Sequence, residues 1–304
     1  MTPFAGAEAG GLSLRQISKR FGAVEVVNSL SLHVRRGMIY GLLGPNGAGK
    51  TTTLRMIMGI LLPDHGTVLR DGEPAGPMDR RRMGYLPEAR GLYARMGVAE
   101  QLAFFAALRG ITSSDVRPAV ARWLDLLGLR GLSDRRSDEL SHGMQQLLQL
   151  AIALIHDPDV VILDEPFTGL DPVHVARVIE LISSLKDQGV AVLLTTHAME
   201  QAEAVCDHVG FLDHGTLRAE GTPDDLRSRY GMVALRVVYR DAVPLDLSLP
   251  DDMRTEVQGR GLTVEWSSGR PPHDVIARLD AAGQMTEFEL RRPGLREVFL
   301  RVVQ

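Results

Sequence analysis

The chain has 304 residues, of which 44% are hydrophobic and 24% charged, and its formal net charge is −4. These values are ordinary for a globular protein of about two domains, and they exclude a wholly disordered, collagen-like or disulfide-stapled chain. The mild acidity and the lack of a basic stripe in the sequence predict that nucleic acid is not a partner.

Cysteine usage and hydropathy bear on location. The single Cys206 cannot form an internal disulfide, and the first residues lack the basic and apolar regions of a signal peptide. The longest nearly apolar stretch, residues 147–155, is far shorter than the ~20 residues that span a bilayer. We therefore expect a cytoplasmic protein with no membrane span of its own.

The N-terminal part of the chain predicts strands. Residues 1–11 are rich in Ala and Gly and predict a flexible N-terminus. Short alternating segments over residues 12–38 predict paired strands, and the apolar run 38–43 predicts a buried strand.

The middle of the chain predicts helices, then alternating strands and helices. Two helices with no strand between them, at residues 98–108 and 116–127, indicate a helical insert over about residues 92–157. The later elements form the alternating pattern of a parallel sheet. They are a helix from Met144, a strand at 160–163, a helix at 175–186 and a strand at 190–195.

The pattern changes after Tyr230, and we place a domain boundary near Arg229. The predicted domains are therefore residues 12–229 and residues 230–304. Short alternating runs, a turn-rich break and amphipathic segments predict a small α+β domain at the C-terminus. Its predicted elements are strands at 233–239, 262–266 and 284–290, a break at 243–250, a helix at 273–282 and a final helix that starts near Pro293.

Residues 44–51 match the phosphate-loop pattern G-x-x-x-x-G-K-[ST] between a predicted buried strand and a helix. Glycines let successive backbone N–H groups turn toward phosphate oxygens, and the following helix adds its positive N-terminus. Lys50 is expected to reach the terminal phosphates, and Thr51 to offer a hydroxyl to Mg²⁺. The predicted nucleotide-binding residues here are Gly44, Pro45, Asn46, Gly47, Ala48, Gly49, Lys50, Thr51 and Thr52.

Two carboxylates follow the predicted strand at 160–163 directly. Asp164 stands where a phosphate-loop site places the acid that holds the Mg²⁺ shell. Glu165 leaves the same strand end, so it is the candidate general base that polarises an attacking water.

Five further segments complete a recognisable order of motifs. They are Ser-Lys-Arg-Phe-Gly at 18–22, Gly-Tyr-Leu-Pro-Glu at 84–88, Leu-Ser-His-Gly-Met-Gln-Gln at 140–146, Thr-Gly-Leu-Asp at 168–171 and Thr-Thr-His at 195–197. Together with the phosphate loop they resemble the ATP-binding subunit of ABC transporters over residues 12–229. The resemblance implies an α/β P-loop ABC cassette, with a mostly parallel sheet, an antiparallel β subdomain and a helical subdomain.

The resemblance also implies roles for single residues. Phe21 would stack on adenine, with a buried core position as the alternative. Glu88 stands where the family usually has Gln, and would contact Mg²⁺ and face the membrane subunit. Asp171 would contact the opposite subunit, and His197 matches the switch histidine that contacts the terminal phosphate.

Ser141, His142, Gly143 and Met144 occupy the place of the family signature Leu-Ser-Gly-Gly-Gln, with His142 and Met144 replacing Gly and Gln. The resemblance implies that they meet the γ-phosphate held by a second subunit. The Ser-x-Gly-Met-Gln-Gln form resembles ATPases that serve ABC-2-type permeases, and residues 293–300 are similar to the end of their small C-terminal domain.

The implied function is an ATP- and Mg²⁺-dependent ATPase subunit that drives a separate ABC-2-type permease, as an exporter, at the inner face of the cell membrane. A second ATP-binding subunit completes each site, and a homodimer is favoured over a heterodimer. One alternative is a soluble ABC ATPase acting on nucleic acid or ribosomes, which the single cassette and the acidic charge disfavour. The other is a nucleotide-sensing module whose altered signature supports binding without hydrolysis.

Overall fold

The computed structural model describes residues 10–89, 91–244, 247, 249–250, 253–267 and 272–303. These residues form two compact units that divide between Arg218 and Ala219. Residues 1–9 of the predicted flexible N-terminus lie outside the described residues, and Gly11 already begins the first strand.

Ten strands within the described residues build two sheets. In chain order they are β1 (Gly11–Phe21), β2 (Val24–Arg35), β3 (Ile39–Leu43), β4 (His65–Arg70), β5 (Glu73–Pro74), β6 (Gly84–Leu86), β7 (Val160–Asp164), β8 (Ala191–Thr196), β9 (His208–Asp213) and β10 (Thr216–Gly221). The first sheet has the order β2-β1-β4-β5, and its registered pairs are antiparallel. The paired strands predicted before residue 38 are therefore confirmed.

The second sheet has the order β10-β9-β3-β8-β7-β6, and the neighbours from β9 to β6 are parallel. Every residue of β3, β7 and β8 is buried. Such continuous apolar runs are typical of parallel strands with both faces covered. Because the strands are parallel, the carboxyl ends of β3, β7 and β8 lie at one edge of the sheet.

Helices α1 to α7 accompany these sheets. They are α1 (Lys50–Ile57), α2 (Pro77–Arg81), α3 (Val98–Leu108), α4 (Ser113–Leu126), α5 (His142–Leu154), α6 (Pro172–Asp187) and α7 (Met199–Val205). The predicted helix at 98–108 is confirmed with the same bounds.

Three helices begin two or three residues earlier than predicted. The predictions started at Val116, Met144 and Val175, whereas the helices start at Ser113, His142 and Pro172. The apolar spacing used for prediction starts only after the residues that open these helices, which are Ser113–Asp115, His142–Gly143 and Pro172–His174. The N-cap residue sets the true start, because it ends the extended backbone that precedes the helix.

The second unit has its own sheet and core. Its elements are α8 (Pro223–Tyr230), β11 (Met232–Tyr239), β12 (Arg254–Gln258), β13 (Gly261–Ser267), α9 (Pro272–Ala282), β14 (Met285–Arg291) and α10 (Leu295–Val303). The sheet order is β12-β13-β11-β14 with antiparallel pairs, and alternate residues of β11 and β13 face a core that includes the fully buried Trp266. The α+β character is therefore confirmed.

One strand of the C-terminal part was not predicted, and one predicted segment is only partly described by the structure. Strand β12 was not predicted, because all five of its residues are exposed and the strand pairs only on one side. Residues 245, 246 and 248 of the predicted break at 243–250 lie outside the described residues. The predicted domain limits are 12–229 and 230–304, whereas the structure divides into compact units after Arg218. The domain limits therefore stay a prediction.

Candidate functional site

The loop between β3 and α1 turns closely around the side chain of Lys50. Gly47 and Gly49 have φ values of 81° and 105°, in the region that glycine adopts most readily. A Cβ on Gly49 would lie 2.6 Å from the carbonyl oxygen of Val26, so no larger residue fits there without a shift. Lys50 Nζ donates to the carbonyl oxygens of Gly44 at 2.8 Å and Pro45 at 3.1 Å. The loop thus holds a buried ammonium group at its centre.

A cavity of about 270 Å³ opens beside this loop and the start of α1. The first turn of α1 has no side-chain cap and no acidic residue, so its N–H groups and the positive end of the helix are left for an anion. The cavity is lined by Val26, Asn46, Gly47, Gly49, Lys50, Thr51, Thr52, Glu88 and Glu165. Besides Lys50, five of the predicted phosphate-loop residues therefore line one cavity together with the candidate acids Glu88 and Glu165.

Asp164 ends β7 and is fully buried. Its Oδ1 accepts a hydrogen bond of 2.6 Å from Thr195 Oγ1 at the end of β8. Its Oδ2 is buried and has no hydrogen-bond partner among the described residues. A buried carboxylate oxygen that the protein leaves unsatisfied is costly, and a hard cation such as Mg²⁺, or water bound to it, would satisfy it. This donor set fits a Mg²⁺ ion.

Glu165 has the left-handed φ of 51°, which is uncommon outside glycine. Its N–H donates to the carbonyl oxygen of Thr195 at 3.1 Å. This turn brings Glu165 Oε1 to 2.9 Å from His197 Nδ1 and 3.7 Å from Lys50 Nζ. The Glu165 side chain is 7% exposed and that of His197 is 55% exposed, so the carboxylate is buried while the imidazole stays accessible. Strained backbone of this kind is common at functional sites.

Two predicted contacts lie at the borders of this region. Glu88 is exposed and lines the cavity. Phe21 ends β1 and is half-exposed, with Lys19 Nζ 5.9 Å from its ring centroid, so the alternative of a buried core phenylalanine is wrong. Phe21 does not line the cavity.

The residues matching the family signature lie at the N-terminus of α5, away from the cavity. Ser141 is the N-cap, and its Oγ accepts a hydrogen bond of 3.3 Å from the N–H of Met144. His142 and Gly143 form the start of the helix. None of these four residues lines the cavity formed by the phosphate loop of the same chain.

Asp171 is the N-cap of α6. Its Oδ1 accepts from the N–H groups of Val173 at 2.9 Å and His174 at 3.0 Å. The hydrogen bonds from the backbone and side chain of His174 hold the pKa of the Asp171 carboxyl below its usual value. Asp171 does not line the cavity either.

Sequence reasoning missed three residues of this region. Val26 lines the cavity from the neighbouring sheet, Thr195 holds Asp164, and His174 pairs with Asp171. Thr195 and His174 carried a weak signal, because Thr195 lies next to the end of β8 and His174 closely follows the helix cap Asp171. Val26 carried none, since it reaches the cavity only through the fold.

Family models, relatives and a solved structure were compared with this chain, and all of them indicate the same family. Residues 27–168 match the family model described as ABC transporter, and residues 221–303 match the one described as ATP-binding protein DrrA1-3-like, C-terminal domain. The protein named Uncharacterized ABC transporter ATP-binding protein YhaQ, from Bacillus subtilis (strain 168), is 33% identical over 96% of this chain and 98% of its own length. Nod factor export ATP-binding protein I of Cupriavidus metallidurans is 39% identical over 96% of each chain.

A solved structure described as Structure of ATP binding subunit of ABC transporter is 32% identical to this chain. It superposes with a TM-score of 0.66 and covers 71% of this chain and 91% of its own length. This likeness confirms the predicted cassette fold.

A parallel sheet with a phosphate loop after one strand and an acid after another defines a nucleotide-binding P-loop protein. The chain belongs to the family of ABC transporter ATP-binding proteins and carries a DrrA-like C-terminal domain. It is an ATP-binding subunit of an ABC transporter and an ATPase, as the motifs predicted. Within the described part of the chain, no helix combines the length and apolarity that crossing a membrane requires.

Proposed function

We propose that this chain hydrolyses ATP to drive a separate ABC-2-type permease that exports its substrate. The observation that carries the hydrolytic part is the buried Glu165 carboxylate between Lys50 and His197, beside the phosphate loop. Export is supported by the relatives named Nod factor export ATP-binding protein I, which are about 40% identical over nearly the whole chain. The DrrA-like C-terminal domain is consistent with the ABC-2 subgroup.

The nucleotide would be held by backbone and side-chain groups of the phosphate loop. The N–H groups of Asn46, Gly47 and Gly49 and the positive start of α1 would bind phosphate oxygens, and Lys50 would neutralise the terminal phosphates. Thr51, Asp164 and Glu88 would hold Mg²⁺, whose charge offsets the negative charge that develops on the phosphates. Phe21 would stack on adenine, since its ring is half-exposed and beside a lysine.

Glu165 would act as the general base toward the attacking water. Its Oε1 faces both His197 and Lys50, which leaves Oε2 to accept the proton from water. The close approach of His197 Nδ1 to Oε1, at 2.9 Å, would help to hold the carboxylate in place, and the exposed part of the imidazole would contact the terminal phosphate.

Two copies of the chain would enclose two ATP molecules. The signature residues Ser141, His142, Gly143 and Met144 lie outside the cavity of their own chain, so a second copy is the partner on which they can act. The first turn of α5 carries no acidic residue, and its positive end suits a phosphate. Asp171 would contact the opposite chain from the same side.

The permease would dock near the segment that follows Glu88. An aromatic cluster lies there, formed by Tyr93, Phe104 and Phe105, with ring centroids 5.3 to 6.1 Å apart. Tyr93 and Phe104 are both more than one-third exposed, and exposed aromatic clusters mark protein interfaces. Docking at this cluster would place the subunit at the inner face of the cell membrane.

Glu165→Gln tests the hydrolytic role, with the exposed Glu180→Gln on α6 as a matched control. We expect Glu165→Gln to lower turnover by on the order of 10²-fold or more. ATP affinity should stay at the wild-type value, and light scattering should show a dimer only with Mg-ATP. Unchanged turnover or lost ATP binding would contradict the role of Glu165, and a monomer with bound ATP would contradict the homodimer.

Affinity capture from detergent-solubilised membranes tests the transport role. We expect an integral-membrane ABC-2-type permease to be recovered with the tagged wild-type chain, and less of it with Tyr93→Ala. Recovery of ribosomes or nucleic acid in place of a permease would contradict the transport role.

A further inference from the structure

The ring of His174 lies between the loop that follows Glu165 and the start of the signature helix α5. His174 Nδ1 is 2.6 Å from Asp171 Oδ2, while Asp171 Oδ1 caps α6. Both carboxylate oxygens of Asp171 are therefore engaged, one by the helix backbone and one by the imidazole. His174 is thus fixed relative to the loop 165–171.

The same His174 ring also lies against Gly143. A Cβ on Gly143 would come within 3.1 to 3.3 Å of three ring atoms of His174, tighter than ordinary van der Waals contact. Gly143 is helical, and its φ is not in the left-handed region. Its backbone conformation therefore does not require glycine, and the close approach of the ring is a separate reason for the missing side chain.

A second contact joins the same two segments. Gln146 lies one turn further along α5, and its Nε2 donates to the carbonyl oxygen of Pro166 at 3.3 Å in a buried position. Pro166 follows Glu165 directly in the chain. The signature helix is thus attached to the loop after Glu165 at two points, His174 and Gln146.

We propose that His174 is a positioning residue that couples the loop after Glu165 to the signature helix of the same chain. This rests on the proposed function, in which Glu165 acts on the chain's own ATP while Ser141–Met144 act on the ATP of a second copy. A shift of the loop during hydrolysis at one site would move the signature that the chain presents to the other site. The two sites would be coupled through packed side chains within each chain.

Four variants test this coupling: His174→Ala, His174→Asn, Gly143→Ala and the double variant Gly143→Ala/His174→Ala. Asn places an amide N–H close to the position of His174 Nδ1, so it keeps the bond to Asp171. We expect kcat to fall about tenfold in His174→Ala with an unchanged Kd for ATP, and to stay within about threefold of wild type in His174→Asn. His273→Ala is the matched control, because His273 is likewise a histidine near the start of a helix that pairs with an aspartate, Asp274.

The double variant separates ring contact from nucleotide contact at Gly143. If the ring is the obstacle, removing it makes room for the methyl group that Gly143→Ala introduces, and the double variant should be no slower than Gly143→Ala alone. If the fold-losses of kcat in the two single variants instead multiply in the double variant, Gly143 serves only the nucleotide of the second copy, and the proposal would be overturned. Wild-type kcat in His174→Ala would overturn it as well.

Hydrogen exchange on the nucleotide-free chain provides a readout independent of activity. We expect amides at the start of α5 to exchange about tenfold faster in His174→Ala than in wild type, and those of His174→Asn to match wild type. Equal exchange in all three proteins would overturn the coupling. Failure of Glu165→Gln to dimerise would instead contradict the proposed two-copy site. The exchange measurement would still test the contact between His174 and α5, because it is made on one chain without nucleotide.

Discussion

Thr195→Val tests how the fold holds the acid at the end of β7. Thr195 Oγ1 donates a 2.6 Å hydrogen bond to Asp164 Oδ1, and both residues are fully buried. Valine keeps the shape of threonine but lacks the hydroxyl. Because Asp164 Oδ2 has no partner among the described residues, the substitution leaves neither carboxylate oxygen with a side-chain hydrogen bond there.

The expected cost follows from this geometry. A buried acceptor left unsatisfied costs about 1–3 kcal/mol, and a charged one lies at the upper end. We therefore expect the free energy of unfolding to fall by about 3 kcal/mol, which lowers the Tm of a unit of roughly 200 residues by about 6–12 °C. Thr196→Val is the matched control, because Thr196 Oγ1 accepts a 3.0 Å bond from the N–H of Ala198, as Thr195 Oγ1 also accepts one of 3.3 Å from the N–H of Glu165. Its expected loss is about 1 kcal/mol, or about 2–4 °C.

Thermal unfolding followed by circular dichroism, without nucleotide, measures both variants. The larger loss should belong to Thr195→Val. Equal Tm shifts in the two variants, or an unchanged Tm in Thr195→Val, would refute the claim that this hydroxyl satisfies a buried charge.

Two further predictions concern Gly49 and His156. Gly49→Ala should weaken ATP binding about tenfold or more, because φ is 105° and a Cβ would meet the Val26 carbonyl oxygen. Gly47→Ala is the control and should lose less ATP affinity, because φ is 81° there and a Cβ would enter open space. Equal losses of affinity in a fluorescent-nucleotide titration would contradict this prediction. Burial first, and then nearby Arg109, lowers the pKa of His156 from near 6.5 to about 4. The unfolded chain then binds the proton more readily, so the free energy of unfolding should fall as the pH drops from about 6.5 to about 4. In His156→Gln, the free energy of unfolding measured with urea should depend less on pH over this range. The same pH dependence in wild type and His156→Gln would contradict this prediction.

Much of the fold follows from local patterns. The buried runs that form β3, β7 and β8 were predicted within one residue, because an apolar run of this length between turn residues leaves few alternatives. Helix starts were less accurate, as Ser113 shows, since the first polar turn lies outside the apolar periodicity. Strand β12 was missed because an exposed edge strand has no buried face to produce alternation.

The sequence by itself determined the class of this protein and its chemical groups. Spacing places the glycines, Lys50 and Thr51 in one motif at the start of α1, and puts Asp164 and Glu165 at one strand end, because these relations are local in the chain. The tertiary structure alone decided which distant groups meet. It brings His197 close to Glu165, lets Thr195 donate a hydrogen bond to Asp164, and packs His174 against Gly143. These contacts depend on the order of the parallel strands and on the packing of the helices. Each of these contacts joins residues far apart in the chain, and no local pattern encodes them.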